Sequence, residues 1–244
     1  MKTYMKIFPV LLMAVLLFNS CVWAGEGITP SKNYITRNYK VDGFSRISAT
    51  TVGNIYYTQS TDGKTTVQIY GPDNIVELFK VEVKDNTLLL TMNKENRMKN
   101  IKKMKITISS PQLDGIYFKG VGDVYIEDGL KTSNLEVESK GVGNIDIKGL
   151  TCKDLTVHSM GVGDVKLQGK ADIAHLHSKG VGDIEAKELE AKQVDATSKG
   201  VGNISCYATE SITASAKGVG SIKYKGNPAV KQVSAKGIGS VKNI

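Results

Sequence analysis

The sequence predicts an all-β fold, a parallel β-helix or solenoid with coils of about 19–20 residues and a β-rich N-terminal segment. Two observations support it. The motif Gly-(Val/Ile)-Gly-(Asp/Asn/Ser)-(Val/Ile) occurs seven times in the last 125 residues, beginning at Gly120, Gly141, Gly161, Gly180, Gly200, Gly218 and Gly237. Apolar or small residues also recur at every second position on both sides of each motif. A period near 20 residues is typical of solenoids, and the alternation is that of strands with one buried face.

Four regions follow from this pattern. We predict a signal peptide over residues 1–24, a leader over 25–40, a first coil with a β-rich N-terminal cap over 41–112, and the solenoid of repeats over 113–244. Because the ends of a solenoid expose open sheet edges, we expect the cap to cover one of them.

The N-terminus carries the features of an export signal. Two lysines precede an apolar run over residues 7–18, which is too short to span a bilayer. Cleavage after Ala24 would release a soluble protein, whereas a lipobox-like stretch that ends at Cys21 would direct lipidation. The residues before Cys21 fit a lipobox poorly, so the soluble product is the favoured of the two alternatives.

The first coil is predicted from a diverged copy of the repeat over residues 47–57, in which Gly53, Asn54 and Ile55 match the core of the motif. The segment that follows it is expected to form the cap. Its predicted elements are a strand over 65–70, a short helical turn over 72–79, a hairpin of 79–83 and 87–92, and a strand over 104–108.

Each Gly-Val-Gly is predicted to be the corner between two strands, since glycine permits left-handed backbone and close approach of neighbouring chains. Equivalent residues of successive coils should then stack in columns about 4.8 Å apart. We number positions from the first glycine of each motif as zero. Side chains at even positions such as −4, −2, +4 and +6 are then predicted to point inward, and those at odd positions outward.

An acid or amide column stands at position +3, after the corner. Its members are Asn54, Asp123, Asn144, Asp164, Asp183 and Asn203, followed by Ser221 and Ser240. Asp164 and Asp183 are the best adjacent pair for a cation. However, Ca²⁺ takes six to eight oxygens, and each repeat supplies one such residue. We therefore favour bonds from these side chains to nearby backbone N–H groups, and predict no metal and no cofactor.

No catalytic residue is predicted. His158, His175 and His177 fall at outward positions without enough further ligands for zinc. The repeated serines at position −2 point inward, so a Ser-His-Asp triad cannot form. The glycine motif lacks the third glycine and the following helix of a dinucleotide-binding loop. Because the coils differ in length by only three residues, no projecting loop is expected to build the groove of a β-helix enzyme.

The charge is basic but not typical of a nucleic-acid-binding protein. Lys and Arg number 32 against 24 Asp and Glu, a formal charge of +8, which falls to +6 when the two lysines of the signal peptide are removed. Only three of the basic residues are arginines, whereas nucleic-acid recognition depends strongly on arginine. We therefore predict no nucleic-acid partner.

Two cysteines remain after export. Cys152 and Cys206 lie three coils apart, roughly 14 Å along the axis at the strand spacing. A disulfide needs Cα atoms within about 7 Å. We predict that both are free thiols and that Cys206 points inward.

The opening GFSRISATTVGNIYYTQ, the β-rich middle and the repeated SKGVGNIDIKG and SKGVGDIEAKE resemble the putative autotransporter adhesin, head GIN domain family, over about residues 41–240. The resemblance implies an all-β solenoid at the cell envelope and brings no catalytic residues. No β-barrel translocator accompanies the repeats in this sequence, so the autotransporter part of that name does not fit the chain.

The sequence thus predicts a non-catalytic cell-envelope module, adhesin-like or structural, for a glycan or protein partner. The expected location is the periplasm, outer membrane or cell surface, with membrane contact only through a lipid on Cys21. A glycan-active β-helix enzyme and a purely structural spacer are the alternatives. The ligand, the binding face and the oligomeric state stay open.

Overall fold

The structure is a computed structural model that describes residues 27–92 and 103–244. This part of the chain consists almost entirely of strands, with a single helix of four residues, α1 (Asp73–Val76). The strands are β1 (Tyr34–Tyr39), β2 (Arg46–Thr50), β3 (Asn54–Gln59), β4 (Thr66–Pro72), β5 (Phe79–Lys84), β6 (Thr87–Met92), β7 (Lys105–Ser110), β8 (Gly115–Phe118), β9 (Val124–Ile126), β10 (Leu130–Lys131), β11 (Asn134–Ser139), β12 (Ile145–Ser159), β13 (Val165–Ser178), β14 (Ile184–Ser198), β15 (Ile204–Ala216), β16 (Ile222–Lys225), β17 (Val230–Ala235) and β18 (Val241–Asn243).

The predicted parallel β-solenoid is confirmed. Successive repeats pair in parallel and in register before the corner, where Val157 lies beside Leu176, and after it, where Val165 lies beside Ile184. We call these two surfaces the pre-corner sheet and the post-corner sheet. A third segment, which includes Leu130–Lys131 and residues 150–152 and 169–171, closes each coil about half a coil away from the corner.

Alternation along the strands builds the core, as predicted. Ile147, Val157, Leu167 and Leu176 are fully buried, and the residues between them face outward. The inward column at position −2 is also buried where it is serine, at Ser139, Ser159, Ser178 and Ser198. Small side chains at this column let the coils approach closely beside the corner.

The corner requires glycine at its third residue. Gly182 has a φ of +133°, and a Cβ built on it would collide with the carbonyl oxygen of Gly163 in the preceding coil. The backbone hydrogen bonds explain this closeness: Val181 N–H donates to the Gly161 carbonyl at 2.9 Å, and Gly163 N–H donates to the Val181 carbonyl at 2.9 Å. Corner backbones therefore bond directly to one another along the stack.

The diverged first copy of the repeat stacks as expected. Ile47 pairs with Ile116, Val52 with Val121, and Ile55 with Val124. The sequence did not predict the position of β6 and β7, which pair with the other side of β2 and β3. β6 and β7 thus extend the solenoid beyond the first coil, and β8 then returns to pair with the opposite side of β2.

Antiparallel strands and the helix cover this end of the stack. The predicted hairpin is present: β5 and β6 are joined by Asp85 and Asn86, both with positive φ, as a type I′ hairpin turn requires. α1 directly follows Pro72 and buries Ile75 and Val76. On the post-corner sheet, β4 pairs antiparallel with β7 and with β1. Part of the region predicted as a leader therefore forms the outermost strand of this sheet.

The predicted signal peptide and Cys21 lie outside the described residues. Within residues 27–92 and 103–244, no helix has both the length and the hydropathy needed to cross a bilayer.

Candidate binding surfaces

The column at position +3 links the coils. Each side-chain oxygen accepts a hydrogen bond from the backbone N–H of the equivalent residue in the next coil, at 2.7 to 3.2 Å. The series begins with Asn54 Oδ1 and Asp123 N–H at 3.1 Å and ends with Ser221 Oγ and Ser240 N–H. We expected bonds to nearby backbone within the turn. They run between coils instead, because the stacking distance brings the next N–H within reach of a short side chain.

The two cation candidates take part in this column. Asp164 Oδ1 accepts from Asp183 N–H at 2.9 Å, and Asp183 Oδ1 accepts from Asn203 N–H at 2.7 Å. In the described part of the chain, no group of three or more His, Cys, Asp or Glu residues is arranged to hold a metal ion. The geometry therefore gives these carboxylates a structural role as acceptors.

A column of exposed lysines stands at position −1, just before the corner. Its members are Lys119, Lys140, Lys179, Lys199, Lys217 and Lys236, with Met160 in the remaining repeat. Within the described residues, one lysine of this column forms an ion pair, Lys140 with Glu138. Most of its positive charge is therefore not balanced by a neighbouring carboxylate.

The histidines lie on the outer side of the pre-corner sheet, as predicted. The ring centroids of His158 and His177 are 5.1 Å apart on adjacent coils, and those of His175 and His177 are 6.4 Å apart. Burial, and then the charge of His158, lower the pKa of His177. The hydroxyls of Ser178 and Ser198 lie inside the coil, so these rings and hydroxyls are on opposite sides of the sheet.

Both cysteines of the described residues are free and buried, which confirms the predicted thiols. Burial raises the pKa of Cys206 to about 12. Burial and the carboxylates of Asp154 and Asp172 raise the pKa of Cys152 to about 12. Thiols in this state are poor nucleophiles at neutral pH.

The aromatic residues near the N-terminal end are engaged with one another. Tyr57 and Phe118 belong to the core. Tyr56 and Tyr125 stack outside it with ring centroids 5.1 Å apart, and Lys105 Nζ lies over the Tyr56 ring, 4.6 Å from its centroid. These ring faces therefore contact protein groups, which does not favour a sugar-stacking platform here.

A shallow groove of about 550 Å³, which the sequence did not predict, lies on the third segment. We call it the third-face groove. Cys152 and Ala171 form its buried floor, and its outer positions include four lysines, Lys131, Lys153, Lys170 and Lys192. Register shifts between neighbouring coils fall near this segment. The unequal lengths of the repeats could have indicated this segment, because the extra or missing residues of a coil fall where neighbouring coils pair least regularly.

Comparison with known proteins agrees with this architecture. Residues 43–228 match the family described as Putative auto-transporter adhesin, head GIN domain. The chain belongs to this family. Its solved relatives include a putative adhesin from Bacteroides fragilis, 67% identical with a TM-score of 0.88 over 89% of this chain and 100% of that one.

Two more distant structures share the fold. A putative lipid binding protein from Parabacteroides distasonis is 23% identical with a TM-score of 0.72, and a putative adhesin from the same species is 20% identical with a TM-score of 0.70. Each alignment covers 90% of this chain and 100% of the relative. No curated protein matches the chain. The family description and the name of the 67% identical structure are both those of putative adhesins.

Proposed function

We propose that this protein is a non-catalytic, adhesin-like module of the cell envelope that binds an acidic glycan in the third-face groove. The observation that carries the proposal is the concentration of lysines around a groove that runs across successive coils. Acidic glycans carry carboxylate or sulfate groups at regular intervals. In the groove, Lys131 and Lys170 occupy equivalent positions two coils apart, about 9.6 Å at the strand spacing, with Thr151 between them.

The charge of the groove favours an anionic ligand. Lys131, Lys153 and Lys170 are exposed and take part in no ion pair among the described residues. Lys192 is paired with Asp172, with Nζ and Oδ1 2.7 Å apart. Three lysine ammonium groups are therefore available to a ligand, and they are compact charges suited to scattered anionic groups rather than to one planar carboxylate.

The uncharged groups of the groove suit sugar hydroxyls. Thr132, Ser133, Thr151 and Thr209 line it beside the lysines. The hydroxyls of Ser133 and Thr151 are able both to donate and to accept a hydrogen bond. Those of Thr132 and Thr209 donate to Asp114 and to the Ala191 carbonyl, so they are acceptors toward a ligand. The small side chains of the floor leave room for a chain of sugars to lie along the stack.

A glycan-active enzyme is the second candidate, because Asp172 and Glu190 also line this groove. Glycoside hydrolysis uses two carboxyl groups that flank the scissile bond. The ion pair of Asp172 with Lys192 keeps one of them engaged, which favours binding without cleavage. Release of shorter glycans on incubation would support the enzyme, and would contradict the non-catalytic proposal.

Export belongs to the same proposal. Residues 1–24 would direct the chain out of the cytoplasm, followed either by cleavage after Ala24 or by lipidation of Cys21. The intact mass of the protein recovered from the envelope distinguishes these products, since a diacylated N-terminus adds the mass of its acyl chains.

The groove is tested by screening the exported chain, residues 25–244, against arrays of acidic and neutral glycans. We expect acidic glycans to bind, and the variant Lys131→Glu/Lys153→Glu/Lys170→Glu to lose more than about tenfold in affinity. The matched control is Lys223→Glu/Lys231→Glu/Lys242→Glu, which reverses the same number of exposed charges elsewhere. Equal binding by both triple variants would refute the groove, and absence of any glycan binding would favour a structural spacer.

A further inference from the structure

A second surface, separate from the groove, carries exposed apolar side chains. The valines of the corner form a continuous ridge with parallel contacts from coil to coil. Val142, Val162, Val181, Val201 and Val219 are each 50–52% exposed, and Val121 and Ile238 are more so. Seven positions at the strand spacing give a ridge about 29 Å long. A soluble protein seldom exposes so regular an apolar stripe without a use for it.

The backbone beneath this ridge is already satisfied. Val162 N–H donates to the Gly141 carbonyl at 2.9 Å, and the Val162 carbonyl accepts from Gly143 N–H at 2.9 Å. The same two hydrogen bonds, one from the N–H and one to the carbonyl, recur at Val181 and Val201. The corner therefore offers no free edge for a partner strand. It does meet the condition for entering the apolar boundary of a bilayer, where an unpaired backbone group is costly.

The charges beside the ridge indicate the kind of surface that it fits. The lysine column at position −1 lies along one flank of the ridge and carries six positive charges. The column at position +3 lies along the other flank and carries three negative charges, those of Asp123, Asp164 and Asp183. The oxygens of those aspartates accept hydrogen bonds between coils. Long lysine side chains can lie along an apolar surface while their ammonium groups reach lipid phosphates.

We propose that the valine ridge and its lysine column dock the protein on a bilayer that contains anionic lipid. The valines enter the boundary between head groups and acyl chains, and the lysines bind phosphates. The corner and the third segment are half a coil apart, so docking would leave the third-face groove on the side away from the membrane. This inference uses a surface independent of the proposed glycan site.

The test is cosedimentation of the exported chain with vesicles. We expect binding to an equimolar mixture of phosphatidylcholine and phosphatidylglycerol, little binding to phosphatidylcholine alone, and weakening by salt. The variant Val142→Thr/Val162→Thr/Val181→Thr/Val201→Thr keeps the β-branched shape of the side chains and should lose about tenfold in partitioning. Val162→Thr/Val181→Thr, compared with Val230→Thr/Val233→Thr, gives the matched control, because these two valines of β17 are exposed to a similar degree away from the ridge.

A second pair of variants tests the lysines. Lys179→Gln/Lys199→Gln/Lys217→Gln should weaken binding by about fivefold for each charge removed, whereas Lys223→Gln/Lys231→Gln/Lys242→Gln should bind more nearly like the wild type. Glycan binding should be unchanged in the ridge variants, which separates this proposal from the previous one.

Three results would overturn it. One is that the wild type fails to sediment with anionic vesicles. Another is that the threonine variant, with a melting curve like that of the wild type, still sediments fully. The last is that the wild type is a dimer in solution that the threonine substitutions convert to a monomer, which would make the ridge an interface between two copies.

Discussion

The second glycine of each Gly-Val-Gly corner is the residue on which close stacking depends most directly. We predict that Gly182→Ala lowers the free energy of unfolding by about 3 kcal/mol or more, because alanine must adopt positive φ and its Cβ meets the preceding coil. Urea unfolding measures this. The control Gly43→Ala should change stability by less than about 0.5 kcal/mol, because its Cβ would have no neighbour within 4 Å. Equal stability of the two variants would show that the corners are less tightly stacked than described.

The inter-coil acceptor at position +3 gives a second prediction for a single residue. Asp164→Ala should lose about 1–2 kcal/mol, since Asp183 N–H then lacks its acceptor. Asp164→Asn should be nearly neutral, because asparagine already fills this position in other coils, as at Asn144. Thermal melts with Ca²⁺ and with chelator separate this role from cation binding. A melting temperature that rises with Ca²⁺ in the wild type and not in Asp164→Asn would favour a metal site instead.

At the scale of the element, the stacked histidines couple stability to pH. The pKa of His177 is lowered by burial first and by His158 next; Asp195 opposes this, and His175 and Lys179 add to it. The unfolded chain therefore binds a proton at this position more readily than the folded one. The sign follows: stability is full above the ordinary histidine pKa of about 6.5 and declines as the pH falls below it.

The variant His177→Gln tests this coupling. It should lose less stability than the wild type between neutral pH and pH 5, measured as the midpoint of urea unfolding, and the two proteins should show similar slopes with pH above 7. A wild-type midpoint that is flat with pH, or the same decline in both proteins, would contradict the proposed origin of the effect.

The elements that the sequence predicted are those set by local pattern. The hairpin of β5 and β6 follows from alternation on both sides of a short polar turn, and the corners follow from the repeated glycines. The outermost strand β1 was missed because residues 34–39 pair, within the described residues, only with β4, which lies 28 to 38 residues later in the chain. The position of β6 and β7 outside the first coil was missed for a similar reason, since chain order alone does not give spatial order when a chain doubles back.

The candidate surfaces were predictable to different extents. The acid and amide column, the outward histidines and the free thiols follow from position within the repeat. The third-face groove does not, because it depends on how unequal coils shift their register against one another. The exposure of the corner valines could have been predicted, since position +1 is odd in the same alternation that makes positions −2 and +4 face inward.

At the scale of the whole molecule, the solenoid separates two surfaces of different chemistry. The ridge at the corner is apolar with flanking lysines, and the groove half a coil away is polar and basic. A stack built from equivalent coils extends each surface along its length, so a linear glycan and a planar bilayer are both compatible with its symmetry. This arrangement would hold a glycan at a fixed distance from the membrane, which is an adhesin-like property.

Hydrogen exchange of the exported chain, with and without an acidic oligosaccharide that the array identifies, tests the central claim most directly. We predict added protection in peptides that contain residues 130–133, 150–153, 169–172 and 189–192, and unchanged exchange at the corners. Protection confined to the corners or to the cap over residues 60–92, with none on the third segment, would contradict the account.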